Sequence, residues 1–222
     1  MKEYSIFDIL GPIMIGPSSS HTAGAARLGK VSREIVGENF NKVTFYLHGS
    51  FSKTYKGHGT DKALVAGVLG MGPSDEGIKN SFEIAKKKGL DISFKETDLG
   101  YEHPNSVKIV FQKNNEENIY IIGSSIGGGN ILITNIDGTE VNFSGEYPTL
   151  ILKYEDKKGA ISKISTMLSN ADINIGTMKV TRERKIATMV VETDHKVNEK
   201  IIDNIKNISE ILYIKGINPV ER

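Results

Sequence analysis

The stretch TLILKYEDKKGAISKISTMLSN, Thr149 to Asn170, opens with Leu150, Leu152 and Tyr154 at every second position. A period of two marks a strand with one apolar face. Asp156-Lys157-Lys158-Gly159 then reads as a turn. Ile161, Ile164 and Leu168 recur at helical spacing, and the helix is expected to stop near Asn170. Downstream, Ile173 and Ile175 resume the period of two. Ile186 to Val191 is a β-rich run after the charged turn Arg182-Glu183-Arg184-Lys185. Ile201, Ile202 and Ile205 mark a second helix, and Ile211 to Ile217 a last strand. The order β-α-β-β-α-β over residues 148–222 predicts a ferredoxin-like sandwich of one sheet and two helices.

Working outward, the preceding residues 1–147 are less regular and richer in glycine, and they read as a separate mixed α/β domain. Leu28, Val31 and Ile35 share one face of a helix expected over His21 to Val36. Lys42 to Leu47 reads as a strand, and Asp61 to Leu69 as a short helix with Thr60 as its cap. One helix is expected from Glu76 to Lys88, ended by Gly89. Strands are expected near 91–97, 106–112, 118–123, 130–135 and 139–143, with a hinge at Gly145 to Pro148. The whole is an α/β (α+β) chain of two domains.

Composition narrows the function classes. Hydrophobic residues make up 38% of the 222-residue chain and charged residues 25%, which is the balance of a soluble globular protein. Basic and acidic side chains number 28 and 27, so there is no basic excess of the kind a nucleic-acid binder carries. No apolar run approaches the roughly 20 residues of a membrane helix. The N-terminus MKEYSIFDILGP lacks a secretory apolar stretch, so a cytoplasmic location is expected, with neither membrane nor nucleic acid as partner. Cysteine is absent, which excludes disulfides, thiol nucleophiles and a thiolate-held iron–sulfur cluster on this chain.

Four segments could carry chemistry. IGPSSSHTAG, Ile15 to Gly24, puts four hydroxyls in five positions: Ser18, Ser19, Ser20 and Thr22. A helix start needs one such cap. The surplus hydroxyls, free amides and helix dipole suit a carboxylate or phosphate, and His21 adds a charge or a proton carrier. The plainer alternative is an over-provided cap. HGSFSKTYKGHGTD, His48 to Asp61, gathers Lys56, His58, Gly59, Thr60 and Asp61 in a loop that matches neither a Walker A nor a dinucleotide fingerprint. A flexible polar loop would explain it equally well. YEHPN, Tyr101 to Asn105, holds His103 before a proline. SSIGGGN, Ser124 to Asn130, places Gly127 and Gly128 between two apolar strands, either as an amide cradle or as a mobile turn. The spacings of His21, His48, His58 and His103 match no common zinc pattern, so no metal site is expected on this chain. His195 lies in a charged turn and is expected to be solvated.

Taken in order, Gly-Pro-Ser-Ser-Ser-His-Thr-x-Gly, Tyr-Lys-Gly-His-Gly-Thr-Asp, His-Pro-Asn and Ser-Ile-Gly-Gly-Gly resemble the beta subunit of iron–sulfur-dependent L-serine dehydratase (L-serine ammonia-lyase) over nearly the whole chain. The resemblance implies that residues 148–222 form an ACT domain. It also implies that the first domain is related to the allosteric substrate-binding domain of some phosphoglycerate dehydrogenases. A separate alpha subunit would hold a 4Fe-4S cluster through its cysteines. The implied reaction is loss of water from L-serine to aminoacrylate, which decays to pyruvate and ammonia, a step of amino-acid catabolism that can feed gluconeogenesis. Carried onto this chain, Ser18, Ser19, Ser20 and Thr22 would hold the substrate carboxylate, and His21 or His58 would relay a proton. Lys56, Gly59, Thr60, Asp61, His103, Asn105, Gly127 and Gly128 would shape the substrate wall. In the ACT domain the resemblance places an amino-acid ligand, L-serine among the candidates, at Asp156, Gly159, Asn174 and Ile175. An ACT-mediated homodimer of heterodimers would follow.

Two other readings compete. One is a regulatory subunit that senses an amino acid and takes no part in chemistry. The other is a stand-alone Ser/His hydrolase, which lacks the strand–G-x-S-x-G–helix elbow such an enzyme uses.

Overall fold

The computed structural model describes residues 12–113 and 117–219. The chain divides into two compact units, one running up to Asp137 and the other spanning Gly138–Pro219.

In the first unit a π-helical turn, Ser19–Gly24, leads into α1, Ala25–Val36. There follow β1 Lys42–Leu47, α2 Gly49–Thr54 and α3 Thr60–Val68. A 3-10 turn, Glu76–Asn80, precedes α4 Ser81–Lys87. The strands are β2 Asp91–Glu96, β3 Ser106–Gln112, β4 Ile119–Gly127 and β5 Asn130–Ile136. The strand order within this unit is β2-β1-β3-β4-β5, and β6, Thr139–Phe143, opens the second unit. The β1–β2 pair is parallel; β1–β3, β3–β4 and β4–β5 are antiparallel. β1 lies inside the sheet, and Val43, Phe45 and Leu47, alternating onto one face, are fully buried. Leu28 and Val31 of α1 and Leu64 and Val65 of α3 are equally buried. The two helices cross at glycines. A Cβ on Gly67 would lie 2.1 Å from the Ala26 carbonyl oxygen, and one on Gly29 2.5 Å from that of Leu64.

Several expectations change. The single helix over 76–88 is two pieces, because Asp75 caps a 3-10 turn and Asn80 leaves helical geometry before α4 begins. Gly89, at φ +70°, ends α4 as expected. Thr60 does not cap α3. Gly59 takes the cap in the left-handed region (φ +70°), and Thr60 is the first helical residue, fully buried. The polar loop after His48 contains α2, anchored by buried Phe51. Full burial of such a side chain contributes about 1.5–3 kcal/mol toward holding a six-residue helix that would not form alone. β4 runs on past 123, so Ser124 and Ser125 lie buried in a strand and only the glycines turn.

The second unit continues with β7 Thr149–Glu155, α5 Ala160–Asn170, β8 Ile175–Glu183, β9 Ile186–Thr193, α6 Glu199–Lys206 and β10 Ile211–Ile217. Its antiparallel sheet has the order β10-β7-β9-β8, the expected ferredoxin-like arrangement. Leu150, Leu152 and Tyr154 face a core with Ile164, Leu168, Met189, Val191 and Ile205. Ile161 is the exception. With Gly159 as the left-handed cap, Ala160, Ile164 and Leu168 form the buried stripe, and Ile161, one position round, is 38% exposed. The charged turn shrinks to Arg184-Lys185, because β8 continues to Glu183.

Candidate functional site

The site is built on the start of α1. Ser18 is extended, and its hydroxyl accepts the His21 backbone N–H at 3.2 Å, the capping role expected of a serine here. Ser19 and Ser20 are half-buried and make no side-chain hydrogen bond among the described residues. Their hydroxyls remain available to a ligand. The run 19–24 is wound as a π turn, a form that recurs at functional sites.

His21 is the hub. Its Nε2 lies 3.2 Å from the Ser50 hydroxyl and its Nδ1 3.5 Å from that of Ser18. Its ring meets His58 edge-on with centroids 4.9 Å apart, and Phe51 at 5.3 Å. Burial, and then the charge of His58, holds the His21 imidazole below its ordinary pKa of 6.5. His58 itself is exposed, so the pair joins a half-buried ring to a solvated one. Thr22, buried, points its hydroxyl toward the His58 carbonyl at 3.5 Å.

The other segments close a circuit. Ser50 N–H donates to the Pro104 carbonyl at 2.7 Å, so α2 starts on the His103-Pro104-Asn105 turn. Gly49 permits this approach, since a Cβ there would lie 2.5 Å from the Pro104 oxygen. The exposed His103 accepts the Asn105 N–H through Nδ1 at 3.1 Å, and Ser125 N–H donates to the Asn105 carbonyl at 2.9 Å. The buried Ser125 hydroxyl has no partner and faces Gly24, where a Cβ would lie 2.0 Å away. Buried Arg27 donates Nη1 to the Gly129 carbonyl at 2.8 Å and so ties α1 to the glycine turn that carries Gly127 and Gly128. The four segments therefore touch in sequence and return to the π turn.

Other expected residues sit further out. Thr60 is buried with its hydroxyl unpartnered, directly behind Gly59. Asp61 is half-buried. Burial raises its pKa, against the Lys62 backbone hydrogen bond and the charges of Lys62 and Lys56. Lys56 is exposed, over the Tyr55 ring at 5.6 Å. His48 is turned away from the circuit, accepting the Leu99 N–H at 3.1 Å beside Asp98. Ser50, Phe51, Arg27 and Ser125 were not singled out from the sequence. They lie in or beside the quoted motifs, but spacing alone does not say which hydroxyl faces His21. Among the described residues no group of three or more His, Cys, Asp or Glu could hold a metal.

In the second unit the four expected ligand residues fall in two places. Asp156 pairs with Arg182 at 3.2 Å near Gly159, which caps α5 at φ +88° with open space beside it. Asn174 and Ile175, beyond the other end of α5, line a concavity of about 590 Å³ with Ser165, Ser169 and Asp172. The Asn174 amide donates to Asp194 at 2.7 Å. His195 is exposed, as expected.

The fold and site together define a chain with a serine- and histidine-rich α/β unit and a C-terminal ACT domain; the ACT family model matches residues 149–210. Residues 5–87 match the family described as the serine dehydratase beta chain. The chain is 52% identical over 183 residues to "L-serine dehydratase, beta chain" of Peptoniphilus asaccharolyticus, covering 82% of each. It is 45% identical to "Probable L-serine dehydratase, beta chain" of Bacillus subtilis (strain 168), covering 82% of this chain and 83% of that one. A D-3-phosphoglycerate dehydrogenase of the same organism is 27% identical over 87% of this chain, which corresponds to 37% of that protein. The chain belongs to the serine dehydratase beta chain family.

Proposed function

We propose that this chain is the beta subunit of a two-chain L-serine dehydratase that converts L-serine to pyruvate and ammonia, acting in the cytoplasm. The observation that carries this reading is the circuit of four sequence-distant segments closed on the π turn, in which the Ser19 and Ser20 hydroxyls make no hydrogen bond among the described residues. The Ser19 and Ser20 hydroxyls, the first free amides and Thr22 bind the substrate carboxylate. His21, neutral and tethered to Ser50, and exposed His58 hold or move a proton between substrate and solvent. Asp61, whose ionisation is penalised by burial, gains from an ammonium beside it. Lys56, Gly59 and Thr60 complete that wall. The His103–Asn105 turn and the Gly127-Gly128 amides support the opposite side. A purely regulatory role leaves the free serines and the histidine pair unexplained.

In this reading the 4Fe-4S cluster belongs to an alpha subunit, since this chain has no cysteine to offer as thiolate. Bound there, the cluster supplies Lewis acidity toward the substrate hydroxyl. Exposed Tyr101 and Ile126, on two of the circuit's segments, are the apolar side chains we assign to that partner's face. We take 148–222 as the regulatory and dimerising domain, binding L-serine or another small amino acid. Two copies would bring the Asp156–Gly159 corner of one against the Asn174–Ile175 hollow of the other, giving a homodimer of heterodimers. No described helix is long and apolar enough to cross a membrane.

The test is reconstitution. The chain alone releases no ammonia from L-serine, and addition of the cysteine-bearing chain with its cluster starts turnover. His21→Ala then lowers kcat/KM by about 100-fold or more. Turnover by the pure chain, or full activity of the variant, overturns the assignment.

A further inference from the structure

On the sheet of the second unit, Leu152 and Tyr154 point into the helix-covered core, so Lys153 between them points to the opposite face. Lys153 is in register with Thr188 of β9, and Thr188 with Thr181 of β8. These three form a polar row across three strands and floor a cavity of about 670 Å³. The β8–β9 turn rims it with Arg184, held at φ +58°, and Lys185. That volume lies in the range of small-molecule sites.

Charge decides what the cavity takes. Glu140 on its wall is paired with Lys179 at 3.4 Å, and Arg182 with Asp156 at 3.2 Å. Lys153, Arg184 and Lys185 have no ion-pair partner among the described residues, and Glu183 is the single unpaired acid on the lining. Lys153 is half-buried with no acid paired to it, which leaves the cavity an excess of positive charge. A net-negative ligand offsets it; a zwitterion gains far less. We propose that this face is a binding site for a small polyanion, a phosphate ester or a di- or tricarboxylate, separate from the amino-acid positions of the same domain.

Titration calorimetry on the full chain at fixed ionic strength tests this, with inorganic pyrophosphate as one probe and citrate as the other. The arm that saturates at one ligand per chain names the chemistry. Lys153→Met and Arg184→Asn should each weaken that binding about tenfold or more. Asn tolerates the left-handed backbone of Arg184, so the turn is kept. Glu183→Gln, which removes the unpaired acid, should tighten binding, and Lys158→Met, outside the cavity lining, should leave it unchanged. Arg184→Asn and Glu183→Gln alter exposed side chains, so the test stands even if Lys153→Met fails to fold. Non-saturating heats for both probes, or equal affinity across the variants, overturn the proposal.

Discussion

His21 is held by four groups, hydroxyls at 3.2 and 3.5 Å and two rings within 5.3 Å. Its lowered pKa has a sign that can be worked through. Unfolded, the imidazole titrates near 6.5; folded, it titrates lower. Between those values the unfolded chain binds more protons, so stability rises with pH through that window and falls on acidification. His21→Gln should flatten the slope of unfolding free energy against pH in that window, measured by urea titration at several pH values; an unchanged slope would assign it elsewhere. Glu210 has the opposite logic. Hydrogen bonds from Lys163 at 2.7 Å, its own backbone and Ser209 hold its carboxyl down to about 2. Its contribution is complete above the ordinary 4.5 and is lost as pH falls toward about 2. Wild type and Glu210→Gln should therefore differ most in thermal midpoint above that window and converge below it.

Among the elements, the α1–α3 crossing positions two of the site's segments, because α1 carries the π turn and α3 begins at Thr60 behind His58. Gly67 sets that crossing at backbone contact. Gly67→Ala improves intrinsic helix propensity by about 1 kcal/mol. The new methyl, however, meets the Ala26 carbonyl at 2.1 Å and forces the helices apart. Overpacking of this kind costs typically 1–3 kcal/mol. A net fall in Tm of several degrees is expected by calorimetry, at roughly 2–4 °C per kcal/mol for a chain of this size. A rise in Tm would show that the crossing relaxes freely. The elements also mark where sequence reading stops. The alternation through Leu150, Leu152 and Tyr154 is local and was legible. Thr60 read as a cap because its residue type suits one, but the left-handed glycine before it took that position. Ser124 and Ser125 read as loop because strand continuation depends on pairing with β3, a partner distant in sequence.

At the scale of the molecule, motif order pointed to the family without revealing the circuit. That Ser50 would meet His21, or Ser125 would press on Gly24, follows only from tertiary packing of segments up to a hundred residues apart. The circuit leaves two serine hydroxyls unspent, and the account rests on their being the carboxylate grip of an active site completed by another chain. Steady-state kinetics of the reconstituted two-chain enzyme carrying Ser19→Ala or Ser20→Ala test this most directly. The account predicts that kcat/KM for L-serine falls roughly 10- to 100-fold in at least one variant, chiefly through KM, as expected for loss of a hydrogen bond to a charged group. Wild-type kcat and KM in both variants would contradict it.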